Sequence, residues 1–213
     1  APAGDLDRLK TAVLFGADAV FIGGKQFSLR SRASNFDLDT IQEAVNFAHQ
    51  HNSHVHVTVN MIPHRDDLDG LDDYLIALDQ IGVDAIIVAS VYILKRAKQL
   101  TKNFEIHVST QYSITNSKTI DFYKKLGADR VVLARENTLS ELKLLKEHSK
   151  LPLEVFIHGG MCVNYSGRCT LSNYMTLRDA NRGGCAQSCR WKYEIFDQNI
   201  TISDEKTLFS MSS

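Results

Sequence analysis

Cys162, Cys169, Cys185 and Cys189 are all the cysteines in the chain, and they fall within 28 of its 213 residues. Thiols gathered so tightly point to a common purpose, and four thiolates are a ligand set for a metal or a cluster. The spacings are six, fifteen and three intervening residues, with no Cys-x-x-Cys pair. Structural zinc usually shows such a pair, whereas an iron-sulfur cage accepts thiolates from more distant backbone. An iron-sulfur cluster therefore leads, with zinc as the alternative metal. Two disulfides, or four buried structural thiols, are the blander readings, and a domain of this size does not need staples. Residues 161–192 also hold Arg168, Arg178, Arg182, Arg190 and Lys192 against Asp179, a formal +4 that leaves −5 for the rest of the chain. Such an excess offsets thiolate charge or draws an anionic substrate.

Three further polar groups, Asn60, Gln111 and His158, each close an alternating run of residues. In 54–60, His54, His56, Thr58 and Asn60 share one side of an extended chain and Val55, Val57 and Val59 the other. Glu105, His107, Ser109 and Gln111 oppose Ile106 and Val108 in the same way, and Glu154, Phe156 and His158 oppose Val155 and Ile157. Strands at 18–23, 84–89 and 129–134, lying between these, are apolar on both faces. Histidines at His49, His51, His54 and His56 suggest a metal, but the first two end a helix and the others lie on a strand, which disfavours it.

The elements that must carry these groups alternate strictly. A phrase recurs before three strands: Gly16-Ala17-Asp18, Gly82-Val83-Asp84 and Gly127-Ala128-Asp129, each after an amphipathic stretch. Glycine there closes a helix in the left-handed region and the chain turns into a strand. Helical patterns at 39–49, 91–100 and 139–148 separate the remaining strands. Alternation of this kind means a parallel sheet, and polar faces on every second strand suit the interior layers of a barrel better than an open sheet covered by helices on both sides. The expected fold is α/β, a TIM-type (β/α)8 barrel that is incomplete here. Ala1-Pro2-Ala3-Gly4 reads as the exit of a trimmed first strand, the eighth strand is missing, and the cysteine-bearing segment follows the seventh. The expected organisation is a partial barrel over 1–160, a cysteine-rich cluster-binding segment on its rim over 161–192, and the start of a carboxyl-terminal continuation over 193–213.

Composition excludes whole classes. With 44% apolar and 23% charged residues, three prolines and a net charge of −1, the chain is neither disordered nor fibrous nor broadly polyanion-binding. No apolar run has the length of a membrane span and no secretory leader is visible, so the cytoplasm is the expected location and no membrane partner is expected.

Several of these residues fall in a recognisable pattern. Glu154-x-Phe156-x-His158-Gly159-Gly160-Met161-Cys162, then Gly167-x-Cys169-x-Leu171-Ser172, resembles the signature of peptidase family U32, the collagenase-like proteases. The likeness extends to Phe27-Ser28-Leu29-Arg30-x-Arg32-Ala33-Ser34-Asn35-Phe36, Ser109-Thr110-Gln111 and Arg178-x-x-Asn181-Arg182-Gly183-Gly184-Cys185. The family label implies a peptidase, yet the chain has neither a His-Glu-x-x-His helix nor a Gly-x-Ser-x-Gly elbow. Better understood members imply instead an oxygen-independent RNA hydroxylation with a 4Fe-4S cluster and prephenate as co-substrate, here at C5 of the tRNA wobble uridine. A different aromatic acceptor, or a hydrolase, is the alternative. On that reading the four cysteines hold the cluster, Arg30, Arg32 and Arg135 anchor the carboxylates of prephenate, and Asn60, Gln111 and His158 orient substrate. The implied partners are tRNA and a possible partner chain or paralogue.

Overall fold

The computed structural model describes residues 1–29, 36–159, 162–165 and 168–193, and the backbone of 195–197 and 200–203. Strands β1 (Ala19–Gly23), β2 (His54–Val59), β3 (Ala85–Val88), β4 (Glu105–Val108), β5 (Arg130–Val132) and β6 (Leu153–Glu154) form one parallel sheet in sequence order. Between them run α1 (Leu6–Leu14), α2 (Leu38–Gln50), α3 (Leu71–Ile81), α4 (Val91–Leu100), α5 (Ser117–Lys125) and α6 (Leu139–His148), with α1 before β1. Most helix starts are written locally. Asp5, Asp37 and Asn116 cap α1, α2 and α5 by accepting from the amides of Arg8, Thr40 and Thr119, and Thr138 with Glu141 closes a capping box on α6.

The sheet is strongly curled. In a flat sheet β1 and β6 would lie about 24 Å apart, five strand spacings. Instead the ring of Phe21 on β1 meets that of Phe156, just past β6, at 6.2 Å and 85°. On the opposite edge of β1, residues 1–3 pair in parallel, with Ala3 N donating to Phe21 O and Phe21 N to Ala1 O. The result is a six-stranded half-barrel, and the described strands do not make a closed ring of eight. Val55, Val57, Val59, Ile106 and Val108 are buried under the helices against side chains such as Leu9, Ile41, Leu75 and Leu94. Their polar neighbours turn the other way, as the alternation predicts: the rings of His56 and His107 meet edge to face at 4.8 Å on the concave side.

The repeated joint has a second use beyond the turn. Gly16, Gly82 and Gly127 all take positive φ. The aspartate two residues later reaches back to the strand before it: Asp84 Oδ2 accepts from Val55 N at 2.7 Å, and Asp129 Oδ2 from Ile106 N at 2.9 Å. Asp84 also collects His49 Nε2 at 2.9 Å and His54 Nδ1 at 2.8 Å, while His51 Nδ1 bonds Phe47 O. Hydrogen bonding within the fold thus accounts for three of the four clustered histidines.

The predicted strand over 153–158 is a strand only at Leu153–Glu154, because β5 ends at Val132 and offers the later residues no ladder. After β6 the described residues form a small lobe that carries α7 (Leu171–Thr176) and 3-10 turns at Ala180–Arg182 and Ser188–Arg190. An antiparallel pair, β7 (Ile195–Asp197) and β8 (Ile200–Ser203), follows. Among the described residues no helix is long and apolar enough to cross a membrane.

Candidate functional site

Because all six strands are parallel, their carboxyl ends define one rim, and the polar residues singled out from the sequence lie on it. Asn60 follows β2 directly and accepts at Oδ1 from Leu29 N at 3.1 Å. Met61 N donates to Phe27 O, and Ser28 Oγ lies 3.0 Å from Thr58 Oγ1. These bonds fasten residues 27–29 along β2. Arg30 and Arg32 lie outside the described residues.

Gln111 sits in the 3-10 turn Thr110–Tyr112 after β4. Its Oε1 accepts from Ser109 Oγ at 3.1 Å, while its Nε2 is buried without a partner. An amide donor left unsatisfied on the concave side is an orienting group in waiting, since a buried donor costs about 1–3 kcal/mol until something accepts from it. Arg135 and His158 share one cleft of about 200 Å³, lined also by Asn137, Phe156 and Gly159. Asn137 Nδ2 bridges Ile114 O and Ala134 O, tying the loops after β4 and β5 together beside Arg135. The Arg135 guanidinium stands 5.5 Å from the centre of the Phe156 ring, a cation-π contact. The structure therefore brings Arg135 and His158 together, and places Asn60 and Gln111 on the same rim without joining them to that cleft. His158 is exposed.

The cysteines belong to the lobe. Cys162 and Cys185 are exposed, Cys169 and Cys189 half-buried. Asn164 Nδ2 points at Cys169 Sγ at 3.4 Å. Three residues after Cys169, the buried Ser172 accepts at Oγ from Ala186 N at 2.9 Å and donates to Gly184 O at 3.4 Å, so it binds the residues on either side of Cys185. Gly184 is obligatory, because a Cβ there would stand 2.6 Å from Asp179 O. In chemistry the donor set fits an iron-sulfur cluster: four thiols on one small framework, two of them open. In position, no group of three His, Cys, Asp or Glu among the described residues stands close enough to hold a metal ion.

Two features of the site escape sequence reading. Arg182 forks onto Asp67, and Asn181 O accepts from Ile62 N at 3.0 Å, so the lobe is docked on the loop after β2. The local positive excess is smaller in effect than the sequence count, since Asp67 offsets Arg182. The other feature lies deeper on the concave side. His107 is fully buried with Nε2 on Glu105 Oε2 at 2.8 Å and Nδ1 unpartnered. Burial, with the charges of His107 and Arg130 adding to it, pushes the His56 pKa down to about 4, and burial also lowers that of His107. Both rings are neutral at pH 7.

Comparison with known proteins adds to this geometry. The family model described as Peptidase family U32 matches residues 4–213. The "tRNA hydroxylation protein P1" of Bacillus subtilis is 51% identical over 100% of this chain and 51% of its own length. The 23S rRNA 5-hydroxycytidine synthase of Escherichia coli is 41% identical over 99% of this chain and 32% of its own. A protein named "Collagenase" from Porphyromonas gingivalis is 30% identical, over 93% of this chain and 50% of its own. The chain spans about half the length of the first of these relatives. Among solved structures, a U32 peptidase superposes with a TM-score of 0.61 at 16% identity, covering 72% of this chain and 66% of that one, which supports the fold alone.

Proposed function

The chain belongs to peptidase family U32, and on that footing we propose that its activity is oxygen-independent hydroxylation of RNA, at C5 of the tRNA wobble uridine. The observation that carries the reading is the docking of the four-cysteine lobe onto the loop after β2, at the strand rim that also carries the cleft of Arg135 and His158. The names of relatives at 51% and 41% identity support hydroxylation over peptide hydrolysis. The half-barrel is taken as part of a (β/α)8 barrel, and a cytoplasmic setting follows from the proposed substrate.

Cys162, Cys169, Cys185 and Cys189 would hold a 4Fe-4S cluster, after an approach of the thiols that the described arrangement does not itself contain. Exchanging C5–H for C5–OH is a two-electron oxidation of the base. It balances when an alcohol C–O bond of prephenate breaks, its oxygen goes to C5 and the hydrogen from C5 goes to the co-substrate, and a bound cluster would supply a redox-active centre at the rim. Arg30, Arg32 and Arg135 would bind the carboxylates of prephenate as guanidinium forks. Gln111 would orient substrate once its buried Nε2 is uncovered, His158 lines the Arg135 cleft, and Asn60 acts one step back by holding residue 29.

Anaerobic purification with iron and sulfide analysis tests the cluster, and replacing any one cysteine by serine is expected to remove it. Deleting the gene and weighing tRNA nucleosides tests the reaction. Loss of 5-hydroxyuridine-derived nucleosides, restored by the wild-type gene and not by a cysteine variant, is the expected result. Unchanged nucleosides in a strain without paralogues overturn it.

A further inference from the structure

The cysteine lobe carries a second set of side chains that neither thiol ligation nor carboxylate anchoring uses. Tyr174 is 85% exposed, Tyr165 68% and Trp191 42%. Large rings normally find apolar cover. Here α7 turns Ser172 inward to bond Gly184 and Ala186, and two residues on, about 200° round the helix, Tyr174 is held outward. Cations neighbour two of these rings along the chain, Arg190 and Lys192 on either side of Trp191 and Arg168 with its amide on Tyr165 O. Arg168, Arg190 and Lys192 are exposed and Arg178 is half-buried. Among the described residues no carboxylate pairs with any of the four, and Asp179 within the lobe spends Oδ1 on the amide of Asn181.

Open rings together with uncompensated cations are what an unpaired nucleic-acid strand needs: cations for phosphates, and ring faces for bases that no neighbour covers. An acidic peptide would use the cations and leave three rings idle. A duplex would offer phosphates but no base faces.

We propose that the cysteine lobe grips the RNA strand next to the base to be modified, with Tyr165, Tyr174 and Trp191 stacking on unpaired bases and Arg168, Arg190 and Lys192 on phosphates. The proposal rests on the RNA-hydroxylation reading of the same rim and adds to it the surface that selects unpaired RNA.

The test is binding of a fluorescent RNA hairpin with an unpaired loop to the purified protein, followed by anisotropy over a range of salt. Tyr174→Ala and Trp191→Ala are each expected to weaken binding roughly tenfold or more. Arg190→Gln is expected to lower the slope of log K against log salt by about 0.7, one phosphate contact on a single strand. Tyr92→Ala, which removes an exposed ring from α4, is expected to leave binding unchanged. Thermal melting checks that each variant is folded. Binding undiminished in both ring variants overturns the surface and leaves the hydroxylation reading standing. No binding by the wild type, with unchanged tRNA nucleosides in the deletion strain, overturns both. Preference for a polyglutamate peptide over the hairpin overturns the surface in favour of a protein partner.

Discussion

Arg182 lays its guanidinium against the Asp67 carboxylate, Nε to Oδ2 at 2.7 Å and Nη2 to Oδ1 at 2.6 Å, across 115 residues of chain. Two parallel charge-assisted bonds fix orientation as well as distance. With Arg182 partly open to solvent, the pair is worth on the order of 1 kcal/mol after screening. Its main effect is on where the lobe sits.

Asp67→Asn is therefore expected to leave the melting temperature of the half-barrel nearly unchanged while raising protease cleavage within residues 168–193. The guanidinium holds the Asp67 carboxyl below its ordinary range, so the contribution is complete above about pH 4 and fades as acid carries the pH through the folded value. Equal cleavage of variant and wild type at pH 7 would show that other contacts dock the lobe.

The His56–His107 pair predicts an acid limit. Unfolding frees rings whose ordinary pKa is near 6.5, while folding holds His56 at about 4, so the unfolded chain binds more protons between those values. The stability that His56 contributes is complete above pH 6.5 and is lost as the pH falls towards 4, on the order of 3 kcal/mol in all. Urea midpoints measured at pH 7 and pH 4.5 are expected to converge in His56→Gln relative to wild type. The same acid loss in the variant would place its origin elsewhere.

Gly184→Ala tests the framework of the lobe. The added methyl would stand 2.6 Å from Asp179 O and 2.9 Å from Asp179 N, backbone atoms held by the bond from Gly184 N to Asp179 O. A clash of this kind costs about 1–3 kcal/mol. The expected outcome is faster amide exchange across 172–190 with the exchange of β2 to β4 unaffected. Wild-type exchange in the lobe would mean that the turn yields without cost.

The parts of this molecule legible in the sequence were those settled by near neighbours. Period-two alternation placed His56 and His107 on one side and the valines on the other, and the glycine of each joint marked the helix ends, because both follow from local backbone geometry. Asn60 was legible as a rim residue for the same reason, since it directly follows β2, whereas Gln111 lies in a turn after β4 and His158 lies four residues past the end of β6. What the sequence concealed depends on distant partners. The length of β6 is set by β5, and the partner of Arg182 lies 115 residues away. Helix and strand placement already disfavours a metal at the histidine run, but nothing local announces that Asp84, thirty residues beyond His54, takes two of its members.

The joints also govern how the molecule can be taken apart. The second and third joint aspartates are each carried by one βα unit and bond the strand of the unit before, Asp84 on Val55 and Asp129 on Ile106. A unit excised at its own glycine thus leaves its predecessor with an unmet amide at the strand entrance. The opposite, carboxyl rim is tied between units by different means, through Asn60 Oδ1 on Leu29 N and Asn137 Nδ2 on Ile114 O. Recombination between relatives is therefore expected to cost most with crossovers between Val55 and Asp84 or between Ile106 and Asp129 that separate a strand amide from the carboxylate it was matched to.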